Sequence, residues 1–127
     1  MAKKHKFTPS NFENVGKSQL SATLYASMLQ SPAWYALSSK AKELYTYMKL
    51  QKYGQAPLDS EKYGADCFTF NKAMYTQTYP IYKTGAQVRR DRDQLIKYGF
   101  IEIVECGKTT RTKNVYKFSA KWQDFKN

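Results

Sequence analysis

Residues 84–119 read TGAQVRRDRDQLIKYGFIEIVECGKTTRTKNVYKFS, and this stretch decides the fold. Thr84 is a good N-cap, and Gly85 and Ala86 after it leave room for close approach to a backbone. At about 3.6 residues per turn, Val88, Leu95 and Ile96 share one face of a helix over 85–98. Lys83, Ala86, Gln87, Arg90, Gln94 and Lys97 share the other, with Asp93 at its margin and Arg89 to one side. Arg92 falls among the apolar set. Its stem is expected to lie along the core, with its guanidinium paired to a carboxylate, Asp91 or another. Gly99 ends the helix. Phe100–Cys106 then has strong strand propensity, and 113–119 is its partner, with Tyr116 and Phe118 on one face. The tip between them, GKTTRT at 107–112, carries donors and no acid.

A basic helix followed by a basic hairpin suits a polyanion. Arginine and glutamine can each make two hydrogen bonds to a purine edge, so the helix is placed at base edges. Lysines and threonines at a hairpin tip suit phosphates, which position a protein without reading sequence. The candidate contacts are therefore Lys83, Thr84, Gln87, Arg89, Arg90, Gln94 and Lys97 on the helix. On the hairpin they are Lys108, Thr109, Thr110, Arg111 and Lys113. The bland alternative is a solvated helix with ion pairs through Asp91 and Asp93, and a solvated hairpin.

The rest of the chain is consistent with that assignment. Its 127 residues suit one domain with a modest core. There are 21 basic and 10 acidic side chains, net +11, which concentrates polyanions near the surface. The first 60 residues hold 8 basic and 3 acidic side chains and the remainder 13 and 7, so the surplus is not a separate charged tail. Cys67, Cys106 and His5 offer no zinc-ligand spacing, and the cysteines read as two reduced, half-buried thiols of a cytoplasmic protein. No cofactor is expected. No apolar run approaches the length of a membrane span. Catalysis has little to build on: one histidine, no acid pair at useful spacing, no nucleophile elbow and no glycine-rich phosphate loop. The 11 tyrosines recur at helical spacings that suit packing.

Residues 1–19 form a basic arm with Lys3, Lys4 and Lys6, either a mobile terminus or a phosphate-touching extension. A single domain is expected over 20–127. A first helix is expected over 20–37, capped by Ser21, with Leu24, Tyr25, Met28 and Leu29 as its stripe and an interruption at Ser31-Pro32. Residues 38–53 form the clearest helix of the first half. Ser38 or Ser39 caps it, Gly54 stops it, and Ala41, Leu44, Tyr45 and Met48 face inward, with Gln51 or Lys52 below them. A loop over 54–67 leads to a short β-like piece at Phe68–Phe70 and a helix from the Asn71 cap to about Thr78. Pro80 ends that helix, Ile81 or Tyr82 plugs the core, and Trp122 and Phe125 close it.

Asn71-Lys-Ala, then LIKYGFIE at 95–102, GKTTRTKNVY at 107–116 and a closing Trp122 resemble the winged helix-turn-helix DNA-binding proteins of bacterial plasmids, phages and integrative elements. SPAWYALSSKAKELY at 31–45 is similar to the opening helices of plasmid replication-initiator domains. The resemblance spans about residues 22–122. It implies an α+β winged helix fold of about four helices with a C-terminal wing of two to three strands. It also implies a recognition helix at 85–98 and a wing tip at 107–113. The function it implies is sequence-specific binding of double-stranded DNA without catalysis, in replication, transfer or transcription control, as a homodimer or as several copies on repeated sites. A winged helix that docks other proteins is the alternative. The chain departs from the family in the long aromatic segment Thr76–Lys83, where a compact turn is usual, and in its small size beside full initiators, which carry further domains.

Overall fold

The computed structural model describes residues 22–54, 64, 66–105 and 114–126. The arm over 1–19, the Ser21 cap, the loop over 55–63, Cys106 and the hairpin tip with Lys108, Thr109, Thr110, Arg111 and Lys113 lie outside the described residues.

The chain is α+β. Helices α1 (Ala26–Leu29), α2 (Pro32–Ala36) and α3 (Ser39–Gly54) come first, then strand β1 (Cys67–Thr69) and a short π-helix (Met74–Thr78). Helix α4 (Gly85–Lys97), strands β2 (Ile101–Glu105) and β3 (Val115–Phe118), and a 3-10 turn (Lys121–Asp124) complete it. The three strands form an antiparallel sheet in the order β1-β3-β2. The sheet therefore takes its third strand from mid-chain and not from the C-terminal part alone. Phe68 faces Tyr116 across β1 and β3, and Ile101 faces Phe118 across β2 and β3.

Helix α3 follows its apolar spacing. Ala41, Leu44, Tyr45, Met48 and Gln51 are buried, and the Ser38 hydroxyl caps it by accepting the Ala41 N–H at 3.2 Å. Between α3 and the sheet, Trp34, Tyr45 and Phe100 meet edge to face with centroids 5.6–5.8 Å apart. Trp122 stacks on the outer face of Phe100 at 6.1 Å, and Phe125 meets Tyr98 at 5.0 Å, so the C-terminal pair closes the core as expected.

Two helices differ from their sequence-based expectation. The first, expected over 20–37, is interrupted at Ser31-Pro32 as expected and continues as the five-residue helix Pro32–Ala36, but its opening part is only a single turn at Ala26–Leu29. The break has a local cause at Ser31. Its hydroxyl donates to the Met28 carbonyl at 2.6 Å and accepts the Trp34 N–H at 3.2 Å, so it closes one helix and caps the next, while Pro32 supplies no donor. Tyr25, expected in the apolar stripe, precedes the turn and is exposed. The second difference lies at Asn71–Thr78. Asn71 caps it, accepting the Met74 N–H at 3.2 Å, but the turn widens so that the Tyr79 N–H reaches the Met74 carbonyl, five residues back, at 2.7 Å. Thr76 bonds back to the Lys72 carbonyl at 2.6 Å, a contact that bends a helical turn. Tyr75 and Tyr79 both stack on Phe70, and Tyr79 also meets Tyr47 of α3, so rings hold the widened turn to the core.

Candidate nucleic-acid interface

Helix α4 carries the candidate helix contacts and is capped at both ends. At the N-terminus the Thr84 hydroxyl accepts the Gln87 N–H at 3.4 Å, while the Gln87 side-chain oxygen accepts the Lys83 N–H at 3.4 Å. This is a capping box displaced by one residue at its return bond. At the C-terminus Gly99 sits at φ 87°, its N–H donates to the Ile96 carbonyl, and the Phe100 N–H donates to the Leu95 carbonyl at 2.9 Å. That pairing is a Schellman motif, and it needs a residue that adopts positive φ. Both ends of α4 are thus fixed by bonds local to the sequence.

The inward face of α4 holds Val88, Asp91, Arg92 and Leu95. Asp91 is only 2% exposed. The Tyr82 hydroxyl donates to it at 2.7 Å, and the Arg90 Nε lies 3.9 Å from its other oxygen. Burial and the hydrogen bond to Asp91 push the Tyr82 phenol far above its usual range, so Tyr82 remains a donor. Arg92 is 17% exposed along its side chain and pairs with Asp93, not with Asp91, through Nε at 3.3 Å and Nη2 at 3.2 Å. Its pKa is raised: burial acts against the charge, and the influence of Tyr116 of β3, together with that of Asp93, outweighs it. Arg92 therefore ties α4 to the sheet, the structural part expected of it.

The outward face presents Ala86, Gln87, Arg89, Arg90, Asp93 and Lys97, all exposed. Lys83 and Thr84 continue it beyond the N-terminus. Of the candidate helix contacts, Lys83, Thr84, Gln87, Arg90 and Lys97 lie together, and Arg89 stands on the flank toward Ile96. Gln94 is turned away. Its oxygen accepts the Ser38 N–H at 2.9 Å and its nitrogen donates to the Ser38 hydroxyl at 3.2 Å, so both ends of its amide are engaged at the start of α3. Asp91 is a residue that polar character hid. The spacing Val88–Asp91–Leu95 put it on the core side and was its only signal. Asp93, at the margin in the helical sorting, stands on the open face, 65% exposed along its side chain.

The lysines of α3 are not simply solvated. Lys40 lies over the Tyr82 ring at 5.2 Å, Lys49 over Tyr25 at 5.8 Å and Lys52 over Tyr53 at 4.3 Å. Lys49 also donates to the Thr23 carbonyl at 2.8 Å. Partial burial, and then the charge of Lys52, lower its pKa.

Among the described residues, no group of three or more histidine, cysteine or acidic side chains could hold a metal ion. Among the same residues no helix is long and apolar enough to cross a membrane. No protein-family model, curated protein or solved structure matches the chain.

Proposed function

We infer that the chain is a winged helix protein that binds double-stranded DNA without catalysis, reading base edges with α4 and holding phosphates with the β2–β3 hairpin. The element order supports the fold assignment: α3, β1, the π-helix, α4 and then a hairpin whose second strand pairs with β1. One observation carries the function. The open face of α4 is cationic because neither acid of that helix stands unpaired on it: Asp91 is buried against Tyr82, and Asp93 is paired with Arg92. Lys83, Arg89, Arg90 and Lys97 are left facing outward on a helix fixed at both ends. A net charge of +11 favours the encounter. Gln94 drops out of the contact set because Ser38 engages it, and Thr84 contributes chiefly as the cap.

The contact residues divide by task. Arg90 and Gln87 are placed at base edges, and Lys83, Lys97 and Arg89 at phosphates. Lys108, Thr109, Thr110, Arg111 and Lys113 are assigned to phosphates from composition. So small a module gains specificity by dimerising or by occupying repeated sites. The setting implied by the sequence resemblance is a plasmid, phage or integrative element, in replication, transfer or transcription control.

Binding to a selected duplex, titrated with salt, tests this. Each neutralised phosphate lowers the log–log slope by about 0.9, so a wing-and-helix contact set should give a slope of roughly −4 to −7. A flat slope refutes it. Arg90→Ala should flatten discrimination between sites, and Lys108→Ala should weaken all duplexes about equally. A protein-docking module is the second reading. Ile103 and Val104 favour it, exposed on β2 at the edge of the sheet, where a bulge between Ile103 and Glu105 breaks the alternation.

A further inference from the structure

Asp93 is an anomaly on a face meant for a polyanion. It is exposed, and it lies one turn from Arg90. A freely moving carboxylate there would only repel phosphates. This one is held. Both Nε and Nη2 of Arg92 donate to the same oxygen, Oδ1, at 3.3 and 3.2 Å. Arg92 is itself largely covered, 17% exposed along its side chain, and Tyr116 of β3, whose hydroxyl accepts from the Asn114 amide at 3.4 Å, acts to hold it charged. A chain of contacts therefore runs from the sheet through the helix to one carboxylate oxygen. Both of these bonds fall on Oδ1, and the Asp93 side chain is 65% exposed on the open face.

We propose that Asp93 is a specificity residue that accepts a hydrogen bond from the exocyclic amino group of a cytosine in the major groove, beside the base read by Arg90. This rests on the DNA-binding reading above. In the major groove only cytosine and adenine offer an amino donor, and adenine sets its N7 acceptor beside it. A carboxylate meets that lone pair unfavourably, whereas on its C5–H side the cytosine amino group has no acceptor beside it, the O6 of the paired guanine lying on the other. Arg92 partly neutralises Asp93 and so lessens repulsion of the backbone. Because the carboxylate is held before DNA arrives, little side-chain freedom is lost on contact. A guanine under Arg90 with a neighbouring cytosine under Asp93 is the expected core of the site.

The experiment selects duplexes from a random library with the full chain and repeats the selection with Asp93→Ala and Asp93→Asn. The unaltered protein should select cytosine at one position. Asp93→Ala should lose that preference alone and bind the selected site about tenfold more weakly. Asp93→Asn should move the preference at that position toward adenine, whose N6 and N7 suit an amide. If Asp93→Ala instead tightens all duplexes equally, Asp93 is only a repelling charge and the assignment falls. An unchanged base profile in both variants overturns it as well. Failure of the unaltered protein to bind any duplex overturns the underlying reading, and this assignment with it.

Discussion

At the scale of single residues, Tyr82 and Asp91 make the sharpest statement about stability. A carboxylate 2% exposed needs donors, and the Tyr82 hydroxyl at 2.7 Å is the short one among the described residues. Tyr82→Phe keeps the ring that packs on Tyr75 but removes that donor. It should cost about 1–3 kcal/mol in urea unfolding, because the acid is left underpaired in the core. Tyr45 adds a pH dependence. Burial first, and then nearby Tyr53, push its phenol from 10.0 up to about 12. The folded state therefore holds the proton more tightly than the unfolded chain. That contribution is fully present below about pH 10 and is lost as pH rises toward 12. Unfolding midpoints measured from pH 9 to 12 should fall, and Tyr45→Phe should make the fall shallower.

At the scale of elements, the ends of α4 are the place to test. A Cβ on Gly99 would stand 2.5 Å from the Trp122 nitrogen and 2.6 Å from the Lys121 carbonyl carbon, both backbone atoms. With a φ of 87° as well, Gly99→Ala should destabilise by about 2 kcal/mol or more, read as a lowered thermal midpoint. The helices that were legible from sequence are those whose signals are local and agree. In α3 the Ser38 cap and the inward spacing coincide, and in α4 Thr84 and Gly99 bracket a clear apolar side. Legibility failed where side chains compete with the backbone ladder. Thr76 with its neighbouring tyrosines widens the turn at Met74–Thr78. At the candidate interface the cationic residues could be named from their spacing. The fates of Gln94 and Asp91 could not, because Ser38 lies 56 residues from its partner and Tyr82 sits in a turn without periodicity.

At the scale of the whole molecule, charge and placement point the same way. The arginines and lysines facing out of α4 belong to a protein of net +11, so the salt titration reads the molecule as well as the site. The exposed acid–base pair between β2 and the 3-10 turn should matter little. Glu102 and Lys121 pair at the surface, each shifting the other toward its charged form, chiefly through their hydrogen bond. Lys121→Ala should leave both fold and DNA affinity nearly unchanged, and equilibrium unfolding together with a binding isotherm would check both.

The order of the sheet bears on how the protein is made. Its central strand, β3, is the last of the three in sequence, and both β1 and β2 bond only to it. During synthesis β1 waits nearly fifty residues for its partner, exposing its Phe68 side chain meanwhile. On a ribosome the helical part can condense early, but the sheet cannot form until Val115–Phe118 has emerged. A nascent chain arrested before that point should remain open to protease, and one carrying β3 clear of the exit tunnel should become resistant in a single step.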